Sequence, residues 1–467
     1  MRTILMRNIL KNTFKKSTLV SIAVTVALAS TTASAKISEQ EAAKLQKELT
    51  PFGAVRAANA DGSIPEWTGG ITSAPAGYKV GDHHIDPFAE DKALYTITSK
   101  NLSQYKDLLT PGQVKLFETY PDTYKMSVYQ SRRSASYPEH VYQATFDNAT
   151  KAELVEGGNG IVQAAIGIPF PVPKDGLEAI WNHILRYRGE KIIREGGQAA
   201  PTASGDYTYM GFDDQLLIPY GVKGVKAEEL QQTNILFKFK QKVTEPARLA
   251  GTALLVHETM DQIKTPRQAW TYNTGQRRVR RAPNVAYDAP GTASDGLRTT
   301  DDFDMFNGAP NRYNWTLKGK QELLIPYNDY RLHSDNLKYD QILQPGHINP
   351  ELVRYEKHRV WVVEANLKSD TRHTYKKRVF YIDEDSWQVA VTDIYDNRDE
   401  LYRVGVAHGI NYYEVPTQWS TLEVFHDLQS RRYIAMGLDN EASMYDFSAE
   451  LKDVDFTSSA LRREGRR

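Results

Sequence analysis

Between residues 358 and 408, apolar runs and turn residues alternate without interruption. HRVWVVEANL is followed by KSDT, RHTYKKRVFYI by DEDS and WQVAVTDIYD by NRDE, and LYRVGVAH closes the block. Each run is rich in Val, Ile, Tyr, Phe and Trp, and each is too short and too β-branched for a comfortable helix. The gaps suit hairpin turns, so the block predicts a four-stranded antiparallel meander. Mixed charges fall on one face of such a sheet and bulky apolar groups on the other. The apolar face needs a cover: a helix, a second sheet or an apolar ligand.

Upstream of this block, further short strands are predicted between polar or Gly-rich turns. They are VYQATFDNAT (141–150), GIVQAAIGI (160–168), EKIIREGGQA (190–199), YTYMGF (207–212), NILFKFKQKV (234–243), LAGTALLVHETM (249–260), QAWTYNT (268–274), QRRVRRAP (276–283) and YNWTLKGKQELLI (313–325). One clear helix interrupts them at 176–186, with Leu177, Ile180, Trp181, Ile184 and Leu185 on one side. It follows GIPFPVP (167–173), whose prolines at alternate positions forbid a central strand and suggest a fixed crossover that aims the helix at the sheet. A weak helix is predicted at 334–343. Near the start, Ser38 and Glu41 form a capping box for a helix stopped by Pro51 and Gly53. A long Gly- and Pro-rich loop (52–91) and two short helices follow, one at 102–109 and one opening at Pro111 after Thr110. Residues 36–130 therefore read as an irregular helical arm, too poor in apolar residues for a domain of its own. Residues 131–467 read as one mainly β (α+β) domain, a large curved antiparallel sheet or half-barrel with covering helices.

Residues 1–35 read as a targeting signal. Arg2, Arg7, Lys11, Lys15 and Lys16 form a basic start, residues 19–29 an apolar stretch, and Ala33-Ser34-Ala35 a small-residue cleavage site before Lys36. A soluble periplasmic product is expected. Its removal of five basic residues leaves 53 basic against 58 acidic, a net charge of −5. That balance argues against a nucleic-acid partner. The absence of cysteine excludes thiolate nucleophiles, cysteine zinc sites and iron–sulfur clusters. Tyrosine, at 27 residues, outnumbers Phe and Trp together, which favours half-buried sheet surfaces and polar-rimmed grooves.

Catalytic signatures are absent: the chain has no HExxH, GxSxG, GxxxxGK[ST] or GxGxxG. Gly157-Gly158-Asn159-Gly160 reads as a turn rather than a phosphate loop. Asp301, Asp302 and Asp304 miss the calcium-loop spacing and read as a capped helix start. His83-His84, with Asp82 and Asp86, has ligand chemistry but reads better as a solvated loop. His257, His408 and His426 lie in strands without a recognisable partner. The Arg-rich run at 276–283 is open to two readings, an anion-binding rim or a solvated edge strand whose charges block strand addition.

Four segments carry a family resemblance: GSIPEWTGG, GIPFPVPKDGLEAIWNHILRYRG, QAWTYNTGQRRVRRAPN and HRVWVVEANLKSDTRHTYKKRVFYIDEDSW. Through them, from about residue 66 to 437, the chain resembles the Gram-negative periplasmic proteins of domain of unknown function 1329. That family is similar, more remotely, to the LolA/LolB-like lipoprotein carriers and receptor. The resemblance implies a curved antiparallel half-barrel, lidded by helices, that holds acyl chains. It also implies partners among inner-membrane exporters or outer-membrane proteins, and it brings no catalytic residues. The chain differs from the small carriers by its arm and by an insertion at 288–314. The combined expectation is a binding or carrier protein for a lipid, an acyl chain or lipoprotein-like cargo, with no cofactor or metal. Trp181, Trp270, Tyr272, Trp361, Val363 and Phe380 are the expected pocket residues, and Arg278, Arg280 and Arg281 the expected rim. Two alternatives stand beside it. One is an enzyme on the same scaffold, which needs a convergent His–carboxylate pair in the pocket. The other is a structural adaptor that docks its arm onto an envelope transport complex.

Overall fold

The computed structural model describes residues 36–282 and 287–465. The expected signal segment and Pro283 of the Arg-rich run lie outside these described residues. The strands are β1 (Tyr95–Ile97), β2 (Met126–Tyr129), β3 (Glu153–Leu154), β4 (Ile161–Val162), β5 (Lys191–Ala199), β6 (Met210–Leu217), β7 (Ile235–Val243), β8 (Ala253–Thr259), β9 (Gln268–Asn273), β10 (Arg278–Arg281), β11 (Tyr313–Pro326), β12 (Tyr355–Leu367), β13 (Lys377–Asp383), β14 (Val389–Tyr395), β15 (Leu401–Tyr412), β16 (Thr417–Asp427) and β17 (Arg432–Leu438). The helices are α1 (Glu39–Ala42), α2 (Pro111–Thr119), α3 (Glu139–Ala149), α4 (Gly176–Leu185), α5 (Ala227–Thr233), α6 (Tyr339–Ile342) and α7 (Ser458–Glu464).

Fifteen strands form one sheet in the order β1-β2-β12-β13-β14-β15-β16-β17-β5-β6-β7-β8-β9-β10, with β11 on β12 beside that path. Among the described residues only the β2–β12 pair is parallel. The ends of the path do not meet, so the sheet is an open half-barrel. The predicted meander is present as β12 to β15, paired in sequence order, and it continues through β16 and β17. Where β17 meets β5 the register slips between Met436 and Leu438. Gly437 there has φ +97°, and a Cβ would lie 2.3 Å from the Thr421 carbonyl oxygen, so only glycine fits at this irregularity.

Both faces of the sheet are covered. Along β12, Val360 and Val362 pack with Leu116 of α2, Met126 of β2 and Ile342 of α6. Val363 and Ala365 point the other way and pack with Trp181 and Ile184 of α4. α2, β2 and α6 thus cover one face, and α4 with Phe52 covers the other. α4 is aimed as the proline-rich crossover predicts: the Asn182 amide accepts from Phe170 N at 2.9 Å and donates to Phe170 O at 2.7 Å. The Ser38–Glu41 capping box of α1 is formed, and α2 opens at Pro111 with its own box between Thr110 and Gln113.

Some predicted strands are different elements. Residues 141–149 belong to α3, because Val141, Thr145, Asn148 and Ala149 are buried at helical spacing and Pro138 precedes the first turn. Of 160–168 only Ile161–Val162 is extended in a ladder, and Gln163 and Ile166 take positive φ. The strand expected at 207–212 starts at Met210 and runs to Leu217, and the helix expected at 334–343 shortens to α6.

Candidate functional site

Strands β7, β8 and β9 present two different surfaces. On one, Leu255, Tyr272 and, less deeply, Trp270 pack with Phe456 and with Leu461 of α7. Lys240 reaches the same side, donating to Glu464 at 2.5 Å. The alternate positions Phe237, Phe239, Leu254, Val256 and Thr271 face residues 289–307, and between them lies a chamber of about 250 Å³. Its polar groups are Gln241, Arg267, Thr271, Thr292, Arg298, Thr300 and Asn307, with no histidine or carboxylate among the lining residues. Pro290 and Thr292 are exposed, so the chamber reaches the surface at that edge. A smaller chamber of about 90 Å³ adjoins it, shares Gln241, Arg298 and Phe303, and is lined also by Arg194, Glu195, Asp214, Asp304 and Glu423.

The inner wall is held by three aspartates of the 3-10 turn Thr300–Met305. Asp304 accepts from both Arg186 guanidinium nitrogens (3.0 and 2.5 Å), from Arg188 and from the Trp419 indole N–H at 3.2 Å. Asp301 accepts from Arg378 at 2.8 and 2.9 Å and contacts His373 at 3.1 Å. Asp302 accepts from the Tyr375 hydroxyl at 2.8 Å and from Thr299 N at 2.7 Å, closing a capping box. The capped start predicted for this segment is therefore present, as a 3-10 turn. Burial alone would raise the Asp304 pKa, but Arg186 and Arg188 outweigh it and hold the carboxyl well below the usual range. At Asp301 burial likewise acts to raise the pKa, and Arg378 and His373 outweigh it and hold the carboxyl low. Burial and then Asp304 push Glu423 the opposite way, to about 7. Burial, then Arg186, lowers His183 to about 3, so its ring is neutral and its Nε2–H donates to the Asp304 carbonyl at 2.8 Å.

The residues expected to line a pocket fall in three places. Trp181, Val363 and Phe380 are buried in the core under α4, where Phe380 meets Phe306 (centroids 5.3 Å apart) and the Trp181 N–H donates to Gly158 O at 2.9 Å. Trp361 is half-buried and stacked on Trp387 at 6.0 Å, beneath Lys320. Trp270 and Tyr272 share a face, as strand alternation predicts, but it is the face under α7, because Thr271 takes the chamber side of β9. The three arginines lie on β10, an edge strand paired only with β9, and all three are exposed. Arg280 pairs with Thr271, which places it and Arg278 on the chamber side, whereas Arg281 pairs with Trp270 on the α7 side. The structure therefore brings none of the six aromatic and aliphatic candidates to the chamber wall. Phe237, Phe239, Leu254 and Val256 do line it. Their period-two pattern is visible in the sequence, but which side of the strand is concave is not.

Several histidines expected to be solvated or unpartnered have partners distant in sequence. His84 is buried, with its Nδ1 3.1 Å from His333 Nε2 and its Nε2 2.8 Å from Glu414. His408 meets Asp329 at 3.0 Å, and His257 meets the Phe456 carbonyl at 2.8 Å. Ligand atoms of His358, Asp383 and Asp385 lie within 4.8 Å of one another. Arg133 already donates to both Asp385 oxygens, at 2.9 and 2.6 Å, which supplies a positive charge to this cluster.

Among the described residues no helix is long and apolar enough to cross a membrane. An uncharacterized protein of Pseudomonas aeruginosa is 51% identical over 441 residues, spanning 94% of this chain and 96% of its own. Two solved structures cover 62% and 61% of the chain. One is a putative outer membrane lipoprotein-sorting protein domain from Vibrio parahaemolyticus (TM-score 0.43, 15% identity, 98% of that chain). The other is a DUF1329 family protein from Desulfovibrio piger (TM-score 0.43, 14% identity, 95% of that chain). A LolA superfamily protein from Nitrosomonas europaea is similar over 62% of this chain and all (100%) of its own, with TM-score 0.36 and 14% identity. The family described as "Protein of unknown function (DUF1329)" matches residues 96–462, and the chain belongs to that family.

Proposed function

We propose that this protein is a periplasmic carrier that takes one lipophilic chain into the chamber between β7–β9 and residues 289–307. The observation that carries this reading is the chamber wall: Phe237, Phe239, Leu254, Val256 and Phe303 present apolar surface to open space. Elsewhere that face of the sheet is filled by α4 and its neighbours. Transfer of a ligand chain into such a wall contributes ~0.8 kcal/mol per buried methylene, without any specific contact. Selectivity then falls to the few polar groups around the chamber, with Arg278 and Arg280 on the same side of the neighbouring edge strand. Placement in the periplasm rests on the basic, apolar and small-residue pattern of residues 1–35. Delivery to or from an exporter or an outer-membrane protein is the corresponding role.

Native mass spectrometry of the protein purified from periplasm tests the reading. The expected spectrum shows the chain from Lys36 onward plus a lipid-sized adduct, and Phe239→Asp reduces that adduct. A bare chain mass, together with no binding of a lipophilic fluorophore, removes the carrier assignment.

A further inference from the structure

Arg298 is an unusual cation for a position of its kind. Its Nε–H is buried with no hydrogen-bond partner, and its Nη1 donates only to the carbonyl of its neighbour Thr299, at 3.2 Å. Arg186, Arg188 and Arg378 also bury an Nε–H without a partner, but they, like Arg194, Arg267 and Arg403, each have a carboxylate within ion-pair distance. Among the described residues Arg298 has none. Leaving a buried guanidinium N–H unsatisfied is costly, so an arginine in this setting calls for an acceptor from outside the chain. The segment that carries it is built to hold it. Gly291 N donates to Arg298 O at 3.1 Å, and Pro290 and Thr299 form a bridge beside them. The guanidinium lies directly over Gly291, where a Cβ would sit 2.5 Å from its Cζ. The side chain lines both chambers, at the boundary between the larger one, without carboxylates, and the smaller one.

Resting on the carrier reading, we infer that the cargo is a single-chain amphiphile with an acidic head, whose anionic oxygens are taken by Arg298 while its tail lies along Phe239, Leu254 and Val256. A planar guanidinium offers paired N–H donors that match the two oxygens of a carboxylate or a phosphate monoester. A neutral chain leaves those donors unmet, and a cationic head is repelled. The head group belongs on the larger chamber's side of Arg298, where no carboxylate lines the wall, because the smaller chamber beyond carries Glu195, Asp214, Asp304 and Glu423.

Probes of equal chain length test this on the mature chain: dodecanoate, dodecyl phosphate, dodecanol and dodecyltrimethylammonium, each displacing a lipophilic fluorophore. The acidic probes are expected to bind at least about tenfold tighter than dodecanol, with the cationic probe weakest. The order of dodecanoate and dodecyl phosphate then tells a carboxylate cargo from a phosphate one. Arg298→Gln should bring the acid-to-alcohol ratio near one, and Arg298→Lys should restore part of it. Gly291→Ala keeps the charge but displaces the guanidinium, so it should also lower the ratio; it supplies the test should the Arg298 variants fold poorly. Equal wild-type affinity for dodecanoate and dodecanol, or a preference that survives both Arg298→Gln and Gly291→Ala, overturns the acid-head assignment and leaves the carrier reading standing. If none of the four probes binds, both fall together.

Discussion

At position 304 an aspartate with left-handed backbone (φ 54°) sits between two arginines and an indole N–H, all buried. Arg186 comes from the end of α4, Arg188 from the strap that follows it and Trp419 from β16, so one carboxylate ties three parts of the chain to the chamber wall. Removing one partner of a buried ion pair leaves the other charge uncompensated, so Asp304→Asn is expected to lower stability by about 3–5 kcal/mol. The pH dependence has a definite sign. Asp304 has a folded pKa below its ordinary value of 3.8, so its contribution is present in full above that value and is lost as pH falls through the folded value. Denaturant unfolding should therefore show the wild type well above Asp304→Asn at pH 7, with the gap narrowing below pH ~4. A gap that is constant from pH 7 to pH 3 would show that the aspartate acts through shape rather than charge.

For the elements, the informative comparison is between the two surfaces of β7–β9. Phe456, just before α7, is fully buried against Leu255 and Tyr272, on the side away from the chamber. Phe456→Ala is expected to cost about 3–5 kcal/mol in denaturant unfolding. Under native conditions it should leave fluorophore affinity at the wild-type value, and a parallel loss of affinity would show that the two sides are not separate. The meander was legible in the sequence because its strands pair with their immediate neighbours, so alternation and turn chemistry carry the information locally. α4 was legible for a similar reason, since five apolar residues share one side. VYQATFDNAT was not: Val141, Thr145 and Phe146 fit a strand by composition, and only their tertiary burial at helical spacing decides for α3. The chamber was harder still. Alternation puts Trp270 and Tyr272 on one face of β9, but which face borders the chamber depends on an insertion whose aspartates find Arg186 118 residues away and Arg378 77 away. No window of sequence contains both partners.

Across the sheet, helices and the insertion cover much of the apolar surface, and at the chamber that cover stands off the wall. A protein of this size has no need of such a gap for stability, since filling it would add dispersion contacts and remove none. That asymmetry yields a test on the intact molecule. A ligand that binds only the folded state raises stability by about 2.7 kcal/mol when its free concentration is 100 times its Kd. The midpoint of thermal unfolding should therefore climb with the logarithm of dodecanoate concentration. Val256→Trp places an indole in the chamber, so its unliganded Tm should equal or exceed the wild-type value while its response to dodecanoate disappears. A destabilised Val256→Trp would mean that the wall is already closely packed and the space unavailable to a chain. A stable variant that still responds would place the ligand elsewhere on the protein.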